Sequence, residues 1–304
     1  MAIGMELRQL KYFVKTAQTL NFSEAARLLF VTQSTLSQQI RQLEQELGSD
    51  LFIRDSHSVQ RTESGEQLLP RAQRTLQDAA ACQDRIKDLQ QILSGSLNIG
   101  ITYSFAPLLT ETVMEFLKIY PGVKLNIFYK TMEELMDMLQ KRELDFVLAF
   151  KPSRLYPDIE SHVLFDNCLS IIARGDHPLA EYESVTLNDI MPYNVAMPSK
   201  GLQARNAFDK MFPGASEQLR IRVELNDANV MLDLVRGCNM ITLLSSAVLQ
   251  STELKAIPIE VPDNIMEGCV HTLRKSYRKR ATEEFIKLLR DSVAVRKKAN
   301  YWLE

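Results

Sequence analysis

The stretch AARLLFVTQSTLSQQIRQLEQELGSDLFIR, residues 25–54, decides the fold of the first part of this chain. Its spacing predicts a helix over residues 33–47, with Thr32 as the N-cap and Gly48 ending the helix. The apolar residues that recur at helical spacing, and that we expect to be buried, are Leu36, Ile40, Leu43 and Leu47. The opposite face is polar, which leaves it available for contacts outside the domain.

Two further helices are predicted before this one. Apolar residues at helical spacing indicate a helix over residues 7–17, and the sequence Asn-Phe-Ser at 21–23 offers a break and a cap before a short helix over 24–30. Ala25 and Ala26 are small enough for two helices to cross closely. Two helices joined by a short turn form a helix-turn-helix.

A hairpin and a long helix are predicted next. Residues 51–62, LFIRDSHSVQRT, place two short β-prone segments around a polar tip, as in a small wing. Residues 64–93 return to a helical pattern, which Pro70 should start or kink. The residues that repeat every seventh position are Ala72, Ala79, Ile86 and Leu93. This seam favours a dimerising linker helix, and packing of the helix on its own domain is the alternative.

Beyond a boundary at residues 94–96 the pattern alternates between strands and helices. One β-α-β-α-β run covers residues 97–150. A second set consists of strands at 168–173, 221–225 and 240–244, with helices at 201–212 and 228–236. A strand at 269–273 and a helix over 282–295 complete the chain. This order predicts two doubly wound, parallel α/β halves with a cleft between them.

Composition limits the classes of protein to consider. The chain has 304 residues, 45% of them hydrophobic and 24% charged, which predicts a globular protein with more than one core. A net charge of -2 excludes a uniformly basic coat, but a small polar and basic face suffices for DNA when two copies act together. No segment is long and apolar enough for a membrane span, and the first residues lack the layout of a secretory signal. We therefore expect a cytoplasmic protein without membrane contact.

The sequence contains few features that would indicate a metal site, a redox switch or an enzyme active site. The cysteines, Cys82, Cys168, Cys238 and Cys269, are far apart and form no CxxC pair, so we expect buried thiols in a reducing compartment. The four histidines are scattered, and no metal site or cofactor is expected. No glycine-rich phosphate loop and no GxSxG nucleophile is present, so an enzyme on an α/β scaffold is a distant alternative.

The signature in residues 25–54 resembles that of the LysR-type transcriptional regulators. The matching features are paired alanines, Thr-Gln at the turn, Ser-x-x-Ile-x-x-Leu-Glu, Leu-Gly and Leu-Phe-x-Arg. The likeness continues through Thr62-x-x-Gly65 and, more weakly, through residues 175–179 and 235–237. Ser34 stands where the family usually has proline, and Arg61 where it usually has leucine, which leaves the packing of the wing in question.

The resemblance implies an N-terminal all-α winged helix-turn-helix, a long linker helix and a C-terminal α/β effector domain. The implied boundaries are 1–63 for DNA binding, 64–93 for the linker and 94–304 for the effector domain. The effector domain would consist of two subdomains like those of periplasmic binding proteins. The first would cover about 94–165 with 270–304, and the second about 166–269.

DNA contacts are expected at the start of the second helix of the motif, which enters the major groove. Gln33 and Gln38 suit adenine edges, and Arg41 suits guanine or phosphate. The full set of expected DNA-binding residues is Ser23, Thr32, Gln33, Ser34, Thr35, Ser37, Gln38, Arg41 and Arg54. Ser23 and Thr32 lie at helix N-termini, where a phosphate is favoured, and Arg54 would reach phosphate or the minor groove from the wing.

Effector contacts are implied between the two α/β halves. The expected residues are Thr102, Tyr103, Ser104, Thr131, Pro198, Ser199 and Asn226. Helix N-termini that converge on a cleft attract anions, which favours a carboxylate or phosphate-bearing metabolite. Thr131 is equally well explained as part of a capping box. Asp227 would repel an anion, which makes Asn226 a marginal candidate.

The resemblance also implies partners and a mechanism. These are double-stranded promoter DNA, a small-molecule effector, a homodimer or homotetramer, and RNA polymerase as a candidate further partner. The effector would favour one closure of the cleft and so change how paired DNA-binding domains lie on a bent promoter. A solute-binding protein is one alternative, and a thiol redox switch is another. Residues 197–215 contain no cysteine, which favours small-molecule binding.

Overall fold

A computed structural model describes residues 4–55, 58–89, 95–249 and 252–292. The chain divides into two compact units, Met1–Gln90 and Gln91–Glu304. We call them the N-terminal unit and the C-terminal unit. None of the helices within the described residues is long and apolar enough to cross a membrane.

The N-terminal unit is a helix-turn-helix with a wing and a long helix, as predicted. Its elements are α1 (Leu7–Thr19), α2 (Phe22–Leu29), α3 (Gln33–Leu47), β1 (Phe52–Arg54), β2 (Val59–Arg61) and α4 (Glu63–Leu89). β1 and β2 pair antiparallel. α2 begins earlier than expected because Asn21 is its N-cap and accepts a hydrogen bond from the Glu24 amide at 3.0 Å.

The core of this unit lies between α1, α2, α3 and the wing. The buried residues include Phe13, Ala17, Ala25, Leu36, Ile40, Leu43, Leu51 and Phe52. Ala25 and Ala26 are buried, as expected where helices cross closely. The expectation for Leu47 is wrong: its side chain is 42% exposed, and the carboxylate of Glu44 is buried on α3 instead. The reason is that Glu44 pairs with the start of the wing.

The two halves of the long helix α4 differ in how they are packed. Pro70 lies inside the helix and does not start it. Ala72 is buried in the core of the N-terminal unit, so the first half of α4 packs on its own domain. Ile86 is 57% exposed and remains available to a second copy. Leu93 lies outside the described residues.

The C-terminal unit contains two five-stranded sheets. Its strands are β3 (Gly95–Ile101), β4 (Val123–Tyr129), β5 (Phe146–Phe150), β6 (Ile159–Asn167), β7 (Leu169–Arg174), β8 (Asn194–Pro198), β9 (Arg220–Leu225), β10 (Ile241–Ser245), β11 (Leu254–Pro258) and β12 (Met266–Leu273). Its helices are α5 (Ala106–Ile119), α6 (Met132–Gln140), α7 (Leu187–Ile190), α8 (Gln203–Met211), α9 (Ala228–Gly237) and α10 (Arg280–Asp291). The strand orders are β4-β3-β5-β12-β6 and β11-β7-β10-β8-β9.

Both sheets are mixed, which corrects the expectation of wholly parallel sheets. β3 runs parallel to β4 and β5, and β8 runs parallel to β9 and β10. β12 is antiparallel to its neighbours β5 and β6, and β7 is antiparallel to β10 and β11. The chain crosses from the first sheet to the second between β6 and β7, through the single residue Cys168.

Strands β6, β8 and β11 were not predicted, and the lengths of β6 and β12 place the subdomain boundaries a few residues from the approximate ones expected. β6 extends to Asn167, and Met266 to Gly268 of β12 pair with its last residues in the first sheet. The predicted division had placed residues 166–269 in the second half. Polar residues interrupt β6 and β11, and β8 is too short for a clear alternation, so neither the period nor the length of these strands stands out.

Candidate functional sites

Hydroxyl groups cluster at the N-terminus of α3. The Thr32 hydroxyl oxygen accepts the amide of Thr35 at 3.2 Å, and it lies 2.9 Å from the Ser34 hydroxyl and 2.8 Å from the Thr35 hydroxyl. The hydroxyl of Ser23, on α2, donates to the side-chain carbonyl of Gln33 at 3.0 Å. This bond orients Gln33 and leaves its amide NH₂ group free to point outward. All five side chains belong to exposed residues.

The next turns of α3 continue this polar face. Gln38 and Arg41 are exposed, and Ser37 is half-buried beside them. No ion pair within the described residues includes Arg41, so its guanidinium can meet an external anion without losing an internal partner.

One buried carboxylate ties the wing to α3. Oε1 of Glu44 accepts the amides of Leu51 at 3.0 Å and Phe52 at 3.3 Å, and its Oε2 accepts Nη2 of Arg54 at 2.7 Å. The Arg54 guanidinium also lies over the ring of Phe22, 4.7 Å from its centroid. The Arg54 side chain is 29% exposed, so it is held by the protein and only its edge faces outward.

Arg61 provides the packing that a leucine was expected to supply. Its Nη1 donates to the carbonyl of Ala17 at 2.8 Å, and its Nε pairs with Glu66 at 2.7 Å. Close to it, Gly65 lies against the wing, where a Cβ atom would be only 2.3 Å from the Leu51 carbonyl oxygen. The glycine is therefore needed for the close approach of α4.

A cavity of about 250 Å³ lies within the C-terminal unit. Its lining residues are Thr102, Tyr103, Ser104, Tyr129, Lys130, Thr131, Met132, Glu134, Pro198, Gly201, Leu202, Gln203, Ala204, Asn226, Ala228, Met231 and Leu244. Six of the seven predicted effector positions lie in this lining. Ser199 does not; its amide donates to the carbonyl of Leu225 at 2.9 Å.

Hydrogen bonds connect the two sheets around this cavity. The side-chain amide of Gln203, from α8, bonds to the Thr102 hydroxyl and to the backbone of Phe150. The Tyr103 hydroxyl accepts from Nδ2 of Asn229 at 2.8 Å and lies 3.4 Å from a carboxylate oxygen of Asp227. Burial and the nearby Asp227 carboxylate raise the pKa of Tyr103, so its phenol is neutral at physiological pH.

The two charged side chains that line the cavity neutralise each other. Oε1 of Glu134 accepts from Lys130 at 3.0 Å, and its Oε2 accepts the hydroxyl of Thr131 at 2.8 Å and the Thr131 amide at 3.0 Å. The Thr131 hydroxyl bond, followed by the backbone and Lys130 bonds, lowers the pKa of Glu134 to about 2. Thr131 and Glu134 thus form the predicted capping box of α6.

The helices that begin at the cavity differ in their N-caps. Asp227 caps α9 by accepting the amides of Asn229 and Val230. α8 has Leu202 at its N-cap position, without a side-chain hydrogen bond. The first amides of a helix have no partner within the helix, so α8 presents donors and a positive dipole end to the cavity.

Most of the thiols are placed differently from the expectation. Cys269 is buried, and burial raises its pKa to about 12. Cys82 and Cys238 are exposed and Cys168 is half-buried, so the prediction of buried thiols holds for Cys269 alone. Within the described residues, no group of three or more His, Cys, Asp and Glu side chains is arranged to hold a metal ion.

Several cavity residues were missed by the sequence. They include Tyr129, Lys130, Leu202, Gln203 and Met231. Gln203 is the second residue after Gly201, where a helix was predicted to begin, so its place at a helix start was visible. Its bonds to Phe150 join residues 53 apart in the chain, and nothing in the local sequence indicates that contact.

Comparisons with known proteins agree with this architecture. The family model "LysR substrate binding domain" matches residues 90–294, and the model "Bacterial regulatory helix-turn-helix protein, lysR family" matches residues 7–66. The uncharacterised HTH-type transcriptional regulator YnfL of Escherichia coli K12 is 31% identical over 274 residues, covering 87% of this chain and 91% of that protein.

Two solved structures share the fold at 22% sequence identity. A full-length variant of OxyR from Pseudomonas aeruginosa has a TM-score of 0.69 and covers 96% of this chain and 95% of its own. Full-length CbnR complexed with its target DNA has a TM-score of 0.64 and covers 94% of this chain and 99% of its own.

Proposed function

Because the chain belongs to the LysR family of bacterial transcriptional regulators, we propose that α3 reads promoter DNA and that a small anionic metabolite in the C-terminal cavity modulates this binding. Membership of this family establishes the general function: the protein is a DNA-binding transcriptional regulator with a substrate-binding domain. The proposal adds the residues that act and the chemistry of the effector.

The polar face of α3 carries the DNA-binding part of the proposal. Gln33, Gln38 and Arg41 are exposed along one helix and can form paired hydrogen bonds with base edges. The Thr32 and Ser23 hydroxyls flank them, near helix starts where a backbone phosphate is favoured. Arg54 is held at the wing by Glu44, so we propose that its exposed edge contacts DNA while its other side supports the fold.

The uncapped N-terminus of α8 is the single observation that favours an anionic effector. It opens on a cavity whose two charged side chains are already paired, so an incoming carboxylate meets amide donors and a helix dipole. Leu202, Met231 and Leu244 supply an apolar wall for the rest of the ligand. A cavity of about 250 Å³ suits a compact metabolite.

Alanine substitutions test the DNA-binding assignment. Gln33→Ala and Arg41→Ala should each weaken operator binding by about 1–3 kcal/mol without loss of stability. Gln45→Ala is the matched control, because Gln45 is exposed on the same helix beyond these turns. Unchanged gel-shift affinity of both variants would remove α3 from the proposal.

A thermal-shift screen of the full chain tests the effector. Carboxylate metabolites should raise the unfolding midpoint, and the corresponding neutral esters should not. If the esters stabilise the protein equally well, the effector is not selected for its charge. If no metabolite acts and DNA affinity changes with dithiothreitol, the thiol-responsive alternative replaces this part of the proposal.

We also propose that the protein assembles as a homodimer or homotetramer in which α4 supplies one of the pairing surfaces. The support for this proposal is the exposed Ile86 on a seven-residue repeat whose earlier member Ala72 is buried. Ile86→Lys should reduce the molar mass found by light scattering, whereas Thr75→Lys, an exposed position on the same helix, should leave it unchanged. RNA polymerase remains a candidate partner.

A further inference from the structure

We propose that one end of the effector cavity is a carboxamide-binding subsite that the chain fills with its own Gln203 side chain. In this proposal Gln203 determines which effectors the cavity accepts. The assignment of an effector to this cavity rests on the proposed function. The existence of the subsite rests on the hydrogen bonds of Gln203 alone.

The subsite arises where strand β3 leaves its neighbour β5. The two strands run parallel, and the last bond in the ladder joins the Thr102 amide to the Leu148 carbonyl at 3.0 Å. The chain then turns, because the Thr102 carbonyl accepts the Phe105 amide at 3.1 Å instead of continuing the ladder. The next amide and carbonyl on that edge of β5 belong to Phe150, and they lose their strand partner there.

Gln203 replaces the missing strand. Its Oε1 accepts the Phe150 amide at 3.3 Å, and its Nε2 donates to the Phe150 carbonyl at 3.0 Å. The Thr102 hydroxyl donates to the same Oε1 at 3.1 Å. A side-chain carboxamide has the donor and acceptor of a peptide group, so it can extend a β-ladder in the way that a backbone segment would.

This arrangement selects a neutral amide by its pattern of donors and acceptors. Phe150 is 2% exposed and Thr102 is 7% exposed, so unpaired polar groups here would be costly. A carboxylate would place an oxygen against the Phe150 carbonyl, and an ammonium group would face two donors. The subsite therefore matches a primary carboxamide and disfavours both charged groups.

The position of Gln203 makes it a determinant of specificity. It lines the cavity and is the first residue of α8. While its side chain fills the subsite, an effector can use only the rest of the cavity. A shorter side chain would expose the Thr102 and Phe150 groups to the ligand, and the accepted effectors would then include ones that carry a carboxamide.

Chemical complementation with acetamide tests the subsite in the full chain. Gln203→Ala removes the side chain beyond Cβ, which has the structure of acetamide. We expect acetamide to raise the unfolding midpoint of Gln203→Ala in a saturable way, and acetate to have no such effect. Wild type and Gln203→Met, whose side chain fills the space without hydrogen bonds, should show no saturable response to acetamide.

Hydrogen exchange at the Phe150 amide gives a second readout that a general loss of stability would not reproduce. In Gln203→Met this amide should exchange at least about tenfold faster than in wild type, because one buried hydrogen bond is lost. The Thr102 amide, which bonds to Leu148, should keep its rate. Acetamide should slow exchange at Phe150 in Gln203→Ala.

The outcomes separate this proposal from the proposed function. Absence of a saturable acetamide effect on Gln203→Ala, or an equal effect on wild type, would overturn the subsite even if an effector is found. If Gln203→Ala folds only with acetamide present, that result supports the subsite; failure to fold with acetamide overturns it. A screen that finds no effector leaves the acetamide result standing.

Discussion

The surface of α3 proposed to bind DNA and the cavity proposed to bind an effector are built in opposite ways. The surface is one face of α3, where Gln38 and Arg41 point outward and can gain partners without losing any. The cavity draws its groups from separate loops and helix starts, and those groups already form hydrogen bonds between the two halves. Gln203 bonds to Thr102, and Tyr103 bonds to Asn229. A ligand in this cavity therefore meets groups that are already paired with one another, whereas a partner of α3 meets groups that are not.

The largest expected effect concerns the support of the DNA-binding surface. Glu44→Ala should destabilise the N-terminal unit by about 3–5 kcal/mol, because it leaves Arg54 and two buried amides without their partner. Operator binding should be lost with it. Hydrogen exchange measured by mass spectrometry reports each unit separately, and protection should fall within residues 4–89 and stay unchanged in the C-terminal unit.

Glu46→Ala is the control for this prediction. Glu46 is exposed two residues further along α3 and bonds only to Gln42 on its own helix within the described residues. It should change stability little. If Glu44→Ala and Glu46→Ala lower the stability of the N-terminal unit equally, the buried carboxylate of Glu44 is not what holds the wing against α3.

These differences explain which features could be predicted from the sequence and which could not. α3, its cap and the wing follow from local periodicity, so their positions were predicted within a residue or two. The contacts of the buried and half-buried polar residues could not be predicted in this way, because they join residues that are distant in the chain or belong to different elements. Glu44 was assigned no role because a charged residue on a helix usually faces solvent, and Gln203 was missed because its partner Phe150 is set by sheet pairing. Bonds between distant segments leave no local pattern.

A second, intermediate effect should appear when pH is lowered. His271 is buried in the C-terminal unit, with Nδ1 2.8 Å from the Ser161 hydroxyl and Nε2 3.2 Å from the Ala149 carbonyl. Burial lowers its pKa from 6.5 to about 4. Since the unfolded chain binds the proton more tightly, stability is lost as pH falls from about 6.5 towards 4, by about 2 kcal/mol between pH 7 and pH 5.

The two units should differ in this response. Of the four histidines, only His57 lies in the N-terminal unit. Burial also lowers the pKa of His177, which acts in the same direction within the C-terminal unit. His271→Gln should therefore reduce the acid sensitivity of the C-terminal unit without abolishing it, as urea unfolding at pH 7 and pH 5 would measure. An unchanged pH dependence in this variant would contradict the prediction.

The smallest expected effect concerns two threonines that cap their helices in the same way. Thr32 caps α3 and Thr131 caps α6, each by accepting the amide of the third helical residue. Thr32→Val and Thr131→Val should each cost about 1 kcal/mol of stability in their own unit. The Thr32 hydroxyl lies among exposed hydroxyls that can meet a phosphate, so Thr32→Val should weaken DNA binding as well.

The Thr131 hydroxyl is already committed to the carboxylate of Glu134, which leaves it little capacity for an effector. Thr131→Val should therefore lower the midpoint of thermal unfolding while changing effector affinity less than twofold in calorimetric titration. Thr131→Ser, which keeps the cap, should behave like wild type in both measurements. A loss of effector affinity in Thr131→Val that Thr131→Ser restores would show that the hydroxyl also contacts the ligand, and the cavity would then resemble the α3 surface at this position.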